Sequence, residues 1–368
     1  MKNLYYIFIL GCMLTIASCQ TLEVISIDYL MPADLNFPPE IKQVGIVNNV
    51  HTNTPGNYQI LAGDTIKRVY EIARKVNFYD GDAKLTTESL AEAIAEANYF
   101  DAVVVSDSAL RANDHIARQN TLSQQEVNEL TMELDVDMII ALESIQIKTI
   151  HTVTYAEGGG YLGIVDAKIY PGLTLYLPNR SAPLAHINAV DSIFWEDLFT
   201  SQIRAQTMVT TKEELIKETS IYAGGIPVKH LLPYWQTYER VMYNTNKAAM
   251  RDAFILAKQG SWDKALALWQ SVYQSKKKKD QMCAAFNIGL YYEVNDNIDE
   301  AITWTQKAVD LAREIDKITD TNNIKISFET SGNINYRVAA YYLEKLRQRK
   351  EELNKLSMQM RRFENDFK

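Results

Sequence analysis

Cysteine is almost absent, with three residues in 368, at positions 12, 19 and 283. Histidine is hardly commoner. The five are His51, His115, His151, His186 and His230, and none has a metal-ligating partner three or four positions away. That spacing puts two ligands on one helix face, so its absence argues against the common helical zinc sites. No HExxH, paired CxxC, Walker loop or GxSxG elbow occurs, which removes the metalloprotease, zinc-ribbon, P-loop and α/β-hydrolase readings. An excess of positive charge is missing too. Lys and Arg number 38 against 46 Asp and Glu, a formal net charge of −8, and nucleic-acid binding would need a concentrated basic face. The one basic run, Lys276 to Lys279, reads as a solvated loop between two helices. Gly158 to Gly163 loosely mimics a phosphate-binding loop, but Leu162 to Ala167 reads as a strand, so the helix N-terminus that would hold phosphate is lacking. Two acidic pairs, Asp135 with Asp137 and Asp296 with Asp299, flank turns without the Gly and terminal Glu of a calcium loop, and read as solvated charges. No catalytic, metal or cofactor set emerges, and the expectation is a protein that is not an enzyme.

What the chain does have at its start is a cationic tip, Met1-Lys2-Asn3, then no charge from Leu4 to Ile16, then Ala17-Ser18-Cys19. These are the parts of a secretory signal, and the apolar stretch is shorter than the roughly 20 residues a spanning helix needs. Ile16-Ala17-Ser18-Cys19 resembles the lipobox of bacterial lipoproteins. The resemblance implies that residues 1–18 are removed and that the Cys19 thiol is acylated, tethering the chain to a membrane of the cell envelope, the outer membrane first among them. Cys12 then leaves with the signal and Cys19 is consumed by lipid, so Cys283 has no partner for an intrachain disulfide. Between Met282 and Ala284-Ala285 in a helical pattern, it reads as a small buried apolar residue. After the signal no apolar stretch approaches spanning length, so the mature body reads as soluble.

Residues 19–40 read as anchor and linker, with Met31-Pro32-Ala33-Asp34 and Phe37-Pro38-Pro39 breaking regular structure. Residues 41–235 read as an α/β domain with a mixed sheet. Ile41 to Val47 is a buried strand closed by Asn48-Asn49 and a polar loop through Asn57. Asp64 to Val76, with Ile66, Val69, Tyr70, Ala73 and Val76, and Thr87 to Asn98, with Leu90, Ala91, Ile94 and Ala95, carry helical spacing. Ala102 to Ser106 is a short apolar strand. Ser123 to Glu126 and Thr211 to Glu214 have capping-box spacing, opening helices toward Leu134 and Tyr222. Strands follow from Met138 through Thr149, from Tyr161 to Tyr170, from Leu173 to Leu177, and from Ala185 to Trp195, with Gly158-Gly159-Gly160 as a hairpin tip and Pro171-Gly172 as an interruption. A domain boundary is expected between about Tyr222 and Tyr243, near Gly224-Gly225 and Pro227.

This order resembles the small α/β domain of curli-secretion lipoproteins and the N-terminal domain of the Tol system's propeller protein. Three places carry the likeness: Val44-Gly45-Ile46-Val47, the run Ala93 to Val104 through Tyr99-Phe100-Asp101, and Leu134-Asp135-Val136-Asp137 leading into Met138-Ile139-Ile140. It is also similar to lipoproteins from Bacteroidales that pair such a domain with helical repeats. The resemblance implies an envelope assembly or scaffolding setting and transfers no active site.

Residues 236–368 read as an all-α, tetratricopeptide-like repeat domain, which makes the chain α+β overall. Ala253-Phe254, Gly260, Ala265 and Trp269 fit the helix-turn-helix pattern, as do Ile288-Gly289, Tyr292, Ala301 and Ala308. Trp262 and Thr305 depart from it, Thr305 standing where a large apolar residue is common. A third helix from Ile334 to Leu346 and the charged segment Arg347 to Lys368 would cap the stack. In tetratricopeptide stacks the first helix of each pair lines a concave face. The resemblance therefore implies a partner-binding groove of Lys247, Met250, Phe254 and Lys258, then Phe286, Leu290 and Glu293, then Arg337, Tyr341 and Glu344. The implied partners are the membrane, through the lipid, and another envelope protein, with self-association through the α/β domain as the alternative.

Overall fold

The computed structural model describes residues 21–51, 59–60, 71–112, 121–318 and 334–363. The signal (1–18), Cys19, residues 52–57 of the polar loop, the first part of the expected helix from Asp64, His115 and the last five residues lie outside that set. In chain order the elements are β1 (Thr21–Met31), β2 (Gln43–Asn48), β3 (Gln59–Ile60), β4 (Glu71–Asp80), α1 (Ala83–Glu96), β5 (Ala102–Ala109), α2 (Gln124–Leu134), β6 (Met138–Tyr155), β7 (Tyr161–Tyr176), β8 (Ala185–Asn188) and β9 (Asp191–Phe199). There follow α3 (Gln202–Thr207), α4 (Lys212–Gly225), α5 (Val228–Leu231), β10 (Tyr234–Asn244), α6 (Ala248–Lys258), α7 (Trp262–Tyr273), α8 (Lys278–Val294), α9 (Ile298–Ile315) and α10 (Ile334–Met360). The architecture is α+β. It divides into a sheet unit, Ala33–Tyr234 with Gln359–Lys368, and a helical unit, Met1–Pro32 with Trp235–Met358.

In the sheet unit β2 lies between β5 and β6, parallel to both, with Val44 opposite Val103 and Met138. A strand with parallel neighbours has both faces covered, which is why Val44, Ile46 and Val47 form an uninterrupted buried run. Helix α1 starts at Ala83, ahead of the expected Thr87, because the Asp82 carboxylate accepts the Lys84 and Leu85 amides at 3.0 and 3.1 Å. It packs Leu90, Ala91 and Ile94 into a core with Val44, Ile46, Met138 and Ile140. Helix α2 opens on the Ser123–Glu126 capping box and covers the other face, where Val47, Ile139 and Ala141 meet Val127 and Leu130.

Several sequence expectations change here. Residues 71–80 form strand β4, antiparallel to β6 from Glu71–Thr154 to Asp80–Gln146, and are not helical. Ala73 and Val76 suit a helix by spacing, but the long edge of β6 offers ladder partners that a helix would leave unmade. The run Ala185 to Trp195 splits into β8 and β9, both paired to β7. That split explains why Pro171 does not interrupt β7: the proline sits between Ile169, the last residue opposite β9, and Gly172, the first opposite β8, where no ladder amide is needed. Gly224-Gly225 is not a linker. Gly224 is buried in α4, and a Cβ there would fall 2.5 Å from the Leu90 amide nitrogen of α1. Asp137 is no solvated charge either, since its carboxylate accepts the Lys42 and Gln43 amides at 2.8 and 2.9 Å and sets the start of β2.

From Gln359 to Phe363 the described residues belong to the sheet unit and do not cap the helix pairs. The buried Gln359 carboxamide accepts from the Ala33 amide and donates to the Ala33 and Leu35 carbonyls at 3.0, 3.0 and 2.6 Å, replacing strand pairing for that segment. Gln359→Ala is expected to lower sheet-unit stability by about 2–3 kcal/mol, since buried backbone groups lose their partners. Urea melts followed at a sheet-unit tryptophan would register it. A fragment ending at residue 235 lacks this clasp and is expected to melt early.

The helical unit is not all-α. Strands β1 and β10 form a two-stranded sheet within it, so residues 21–31 are structured and not linker. Helices α6 and α7 pair, as do α8 and α9, with Ala253, Ala265, Ala301 and Ala308 buried at the crossings. The departures at Trp262 and Thr305 have reasons. Trp262 packs on the buried Trp269 with ring centroids 6.3 Å apart. Thr305 faces Gly289 so closely that a Cβ on the glycine would lie 2.3 Å from its hydroxyl, a gap that no large side chain fits. Lys278 and Lys279 begin α8, and Lys278 pairs with Glu314, so the basic run is only partly a loop.

Candidate functional site

The helical unit carries a cleft of about 420 Å³. Strand β1 supplies Val24, Tyr29 and Met31 to its wall, β10 supplies Tyr238, Glu239, Arg240 and Val241, and α10 supplies Val338, Tyr341, Tyr342, Lys345, Gln348, Arg349 and Glu352. A helical period along α10 aims its side chains at one space, and a run of four consecutive residues of β10 borders that space. Behind them Glu293 of α8, 0 % exposed, takes the Arg240 guanidinium in a fork, with Nη2 2.9 Å from Oε1 and Nε 3.1 Å from Oε2. The Tyr342 hydroxyl donates to Glu293 Oε2 at 2.6 Å. A carboxylate so bound is a fixed part of the frame.

Aromatic rings surround the cations. The Arg240 guanidinium lies 5.5 Å from the Tyr29 ring and 5.4 Å from that of Tyr238, and the Arg349 guanidinium lies 3.5 Å from Tyr29 while bonding Asp296 at 2.9 Å. Burial, then the charge of Glu293, pushes the Tyr29 and Tyr342 phenols upward, so both remain neutral. Burial disfavours the Arg240 charge, but the hydrogen bonds and charge of Glu293 outweigh it and raise its pKa further. Burial also raises Glu352, against the pull of Arg349 and Lys345. The opening is more accessible: Tyr341 is 40 % exposed, with Lys345 Nζ 5.5 Å from its ring. The surface can hold an extended chain by ring contact and by charges of either sign. It assembles no nucleophile beside a base.

The groove expected from the repeat pattern is only partly present. Met250 of α6 is buried core, and so are Phe286, Leu290 and Glu293 of α8, where β10 covers the helix: Asn287 brackets Tyr243, accepting from its amide at 2.9 Å and donating to its carbonyl at 2.8 Å. Lys247 bonds Asp280 at 2.6 Å and Lys258 lies 4.8 Å from the Phe254 ring. Of the ten residues, Tyr341 alone lines the cleft wall, with Glu293 on its floor; Arg337 and Glu344 are on the same helix, away from the wall. The acidic pair Asp296 and Asp299 is engaged by Arg349 and Lys350 of α10.

A second polar cluster sits in the sheet unit at the carboxyl ends of the parallel strands. A bulge in β6 between Leu142 and Ser144 frees Glu143 from the ladder with β7. The Tyr176 hydroxyl and Asn49 Nδ2 donate to it at 2.8 and 2.6 Å, and Arg111 links Asn49 at 2.7 Å to Glu126 at 2.8 Å. Burial raises the Glu143 carboxyl to about 7, opposed by Tyr176, Asn49 and Arg111. A carboxyl with a folded pKa above its unfolded one contributes stability that is complete below the unfolded pKa, near 4.5, and lost as pH rises through about 7. The sheet unit is therefore expected to melt several degrees lower at pH 8 than at pH 5, and Glu143→Gln to flatten that slope. A melting temperature that rises over this range would contradict the assignment.

The histidines are dispersed: His151 meets the Ala205 carbonyl at 2.9 Å, His186 meets Thr174 at 3.0 Å and His230 pairs with Asp34 at 2.6 Å. Among the described residues no His/Cys/Asp/Glu group is arranged to hold a metal ion, and no helix is long and apolar enough to cross a membrane.

A family model described as "Domain of unknown function (DUF8603)" matches residues 41–243. The chain belongs to the DUF8603 family. That match takes in the sheet unit from the start of β2 and nearly all of β10. A second model, "Domain of unknown function (DUF6340)", matches residues 251–348, from α6 into α10. No curated protein matches the chain, and no solved structure does. Most of the DUF8603 match covers elements without the cleft; β10 alone carries it into the cleft wall, and the DUF6340 match contributes the first half of α10.

Proposed function

We propose that this chain is a lipid-anchored envelope protein, not an enzyme, whose helical unit holds a segment of another protein in the cleft between β10 and α10. The observation that carries the reading is the cleft itself. Its floor is locked by Arg240, Glu293 and Tyr342, while its rim offers Tyr341, Lys345 and Glu352. Aromatic anchors beside mixed charges on a rigid floor are the composition of a protein-binding surface, where a few rings carry most of the affinity. The anchor would confine the protein to one membrane, which suits a scaffold.

Tyr341→Ala with Lys345→Glu is expected to cut recovery of crosslinked partner from membranes by about ten-fold or more, in line with an aromatic anchor contributing upward of 2 kcal/mol. The melting temperature should hold within two degrees or so, as both side chains are on the rim. Full recovery of partner by that variant would sink the proposal.

Self-association through the sheet unit is the alternative, and one observation favours it: β9 presents Phe194 and Leu198, 63 % and 58 % exposed. Against it, Asp191 and Asp197 accept from the Ser192 and Leu198 amides at 2.8 Å and occupy donors that a second strand would need.

A further inference from the structure

Strand β1 begins at Thr21, and only Gln20 separates it from Cys19. Two Cα steps span at most about 7 Å. A lipid on Cys19 would therefore leave the helical unit with no tether. Val24, at the cleft wall and 52 % exposed, would stand at most about 18 Å of chain from the acylated residue. Tyr29 and Met31, further along β1, line the same cleft. Because β1 is paired in a two-stranded sheet, a lipid on Cys19 would keep Val24 and the cleft wall it joins within that reach of the bilayer.

We propose that the helical unit lies flush against the membrane and that its cleft receives a membrane-adjacent segment of a partner protein held in the same bilayer. This rests on the lipidation and protein-binding reading above. The length of chain between anchor and strand selects this occupant over a freely diffusing one. Both partners are then confined to a thin layer, where the effective concentration is high and a modest cleft suffices. The same shortness excludes partners whose binding segment stands far above the surface.

The test compares the native N-terminus with a variant carrying about twelve Gly/Ser residues between Gln20 and Thr21, which adds roughly 20 Å of root-mean-square reach. Val24→Cys, labelled with an environment-sensitive fluorophore, reports height above vesicles of phosphatidylethanolamine and phosphatidylglycerol doped with a headgroup-nitroxide lipid. Cys283 is buried and stays unlabelled. Strong quenching is expected for the native spacing, falling on the order of two-fold or more in the insertion variant, with an unchanged melting temperature. In the matched pair of proteins that keep Val24 unlabelled, recovery of crosslinked partner from membranes should fall as well. Equal quenching in the two proteins, or equal recovery, would overturn the inference. Mass spectrometry of the N-terminal peptide separates the two failures. An acylated protein with unquenched label removes this inference alone, whereas a missing acyl mass removes the anchor as well.

Discussion

Glu293→Ala should unfold much of the helical unit's stability, by about 3–5 kcal/mol, because it strands the Arg240 charge in a buried site. Arg240 is only 12 % exposed at its side chain and Glu293 not at all, so water cannot replace the lost carboxylate. The Tyr342 hydroxyl loses its acceptor in the same step. A fall in melting temperature on the order of 10 °C or more follows for a unit of this size, read by circular dichroism at 222 nm. Glu293→Gln keeps an acceptor for Tyr342 and should cost distinctly less. Replacing both partners, Glu293→Met with Arg240→Met, should recover part of the loss, since buried ion pairs are often matched by apolar pairs of similar volume. If the single alanine variant melted as the native protein does, the pair would not be the cleft's structural floor.

On the proposed anchoring through Cys19, Cys19→Ala should abolish membrane attachment. Each acyl methylene buried in the bilayer contributes about 0.8 kcal/mol, so several chains hold a protein firmly and none hold it hardly at all. Among the described residues no helix is long and apolar enough to substitute for the lipid. Cells labelled with an alkyne palmitate analogue should show a strong band for the native protein and none for the variant, which should also retain residues 1–18 or appear in the soluble fraction. Normal labelling of the variant would place the anchor elsewhere.

Much of the sheet unit was legible in the sequence because its signals are local. Val44 to Val47 and Met138 to Leu142 are apolar runs of strand length, Ser123 and Thr211 sit at cap positions, and three glycines mark the β6–β7 tip, each with φ near +100°. The error over residues 71–76 arose where apolar spacing suits two periods and the decision fell to the free edge of β6. The helix pairs were legible through Ala265, Trp269 and Ala301, but the cleft was not. It depends on β1 meeting β10 across two hundred residues, and neither strand alternates cleanly enough to announce itself. Glu293 was singled out for a groove by the repeat pattern; the structure makes it a buried anchor because Arg240, 53 positions away, reaches it from β10. Glu143 gave no signal, since a bulge is a property of two strands in register and not of either alone. Asn48-Asn49 at the end of β2 was the only local hint that polar chemistry gathers there.

On the function proposed above, the cleft of the helical unit, and no other surface, holds a partner chain. A photo-crosslinking amino acid placed in turn at Tyr341 and Lys345 on the cleft rim, and at Phe194 and Leu198 on β9, tests it in intact cells. Adducts of one discrete partner mass are expected from the rim positions, with β9 giving none. Adducts from β9 at the mass of two copies of this chain, with the rim silent, would contradict that proposal and instead assign the interface to the sheet unit.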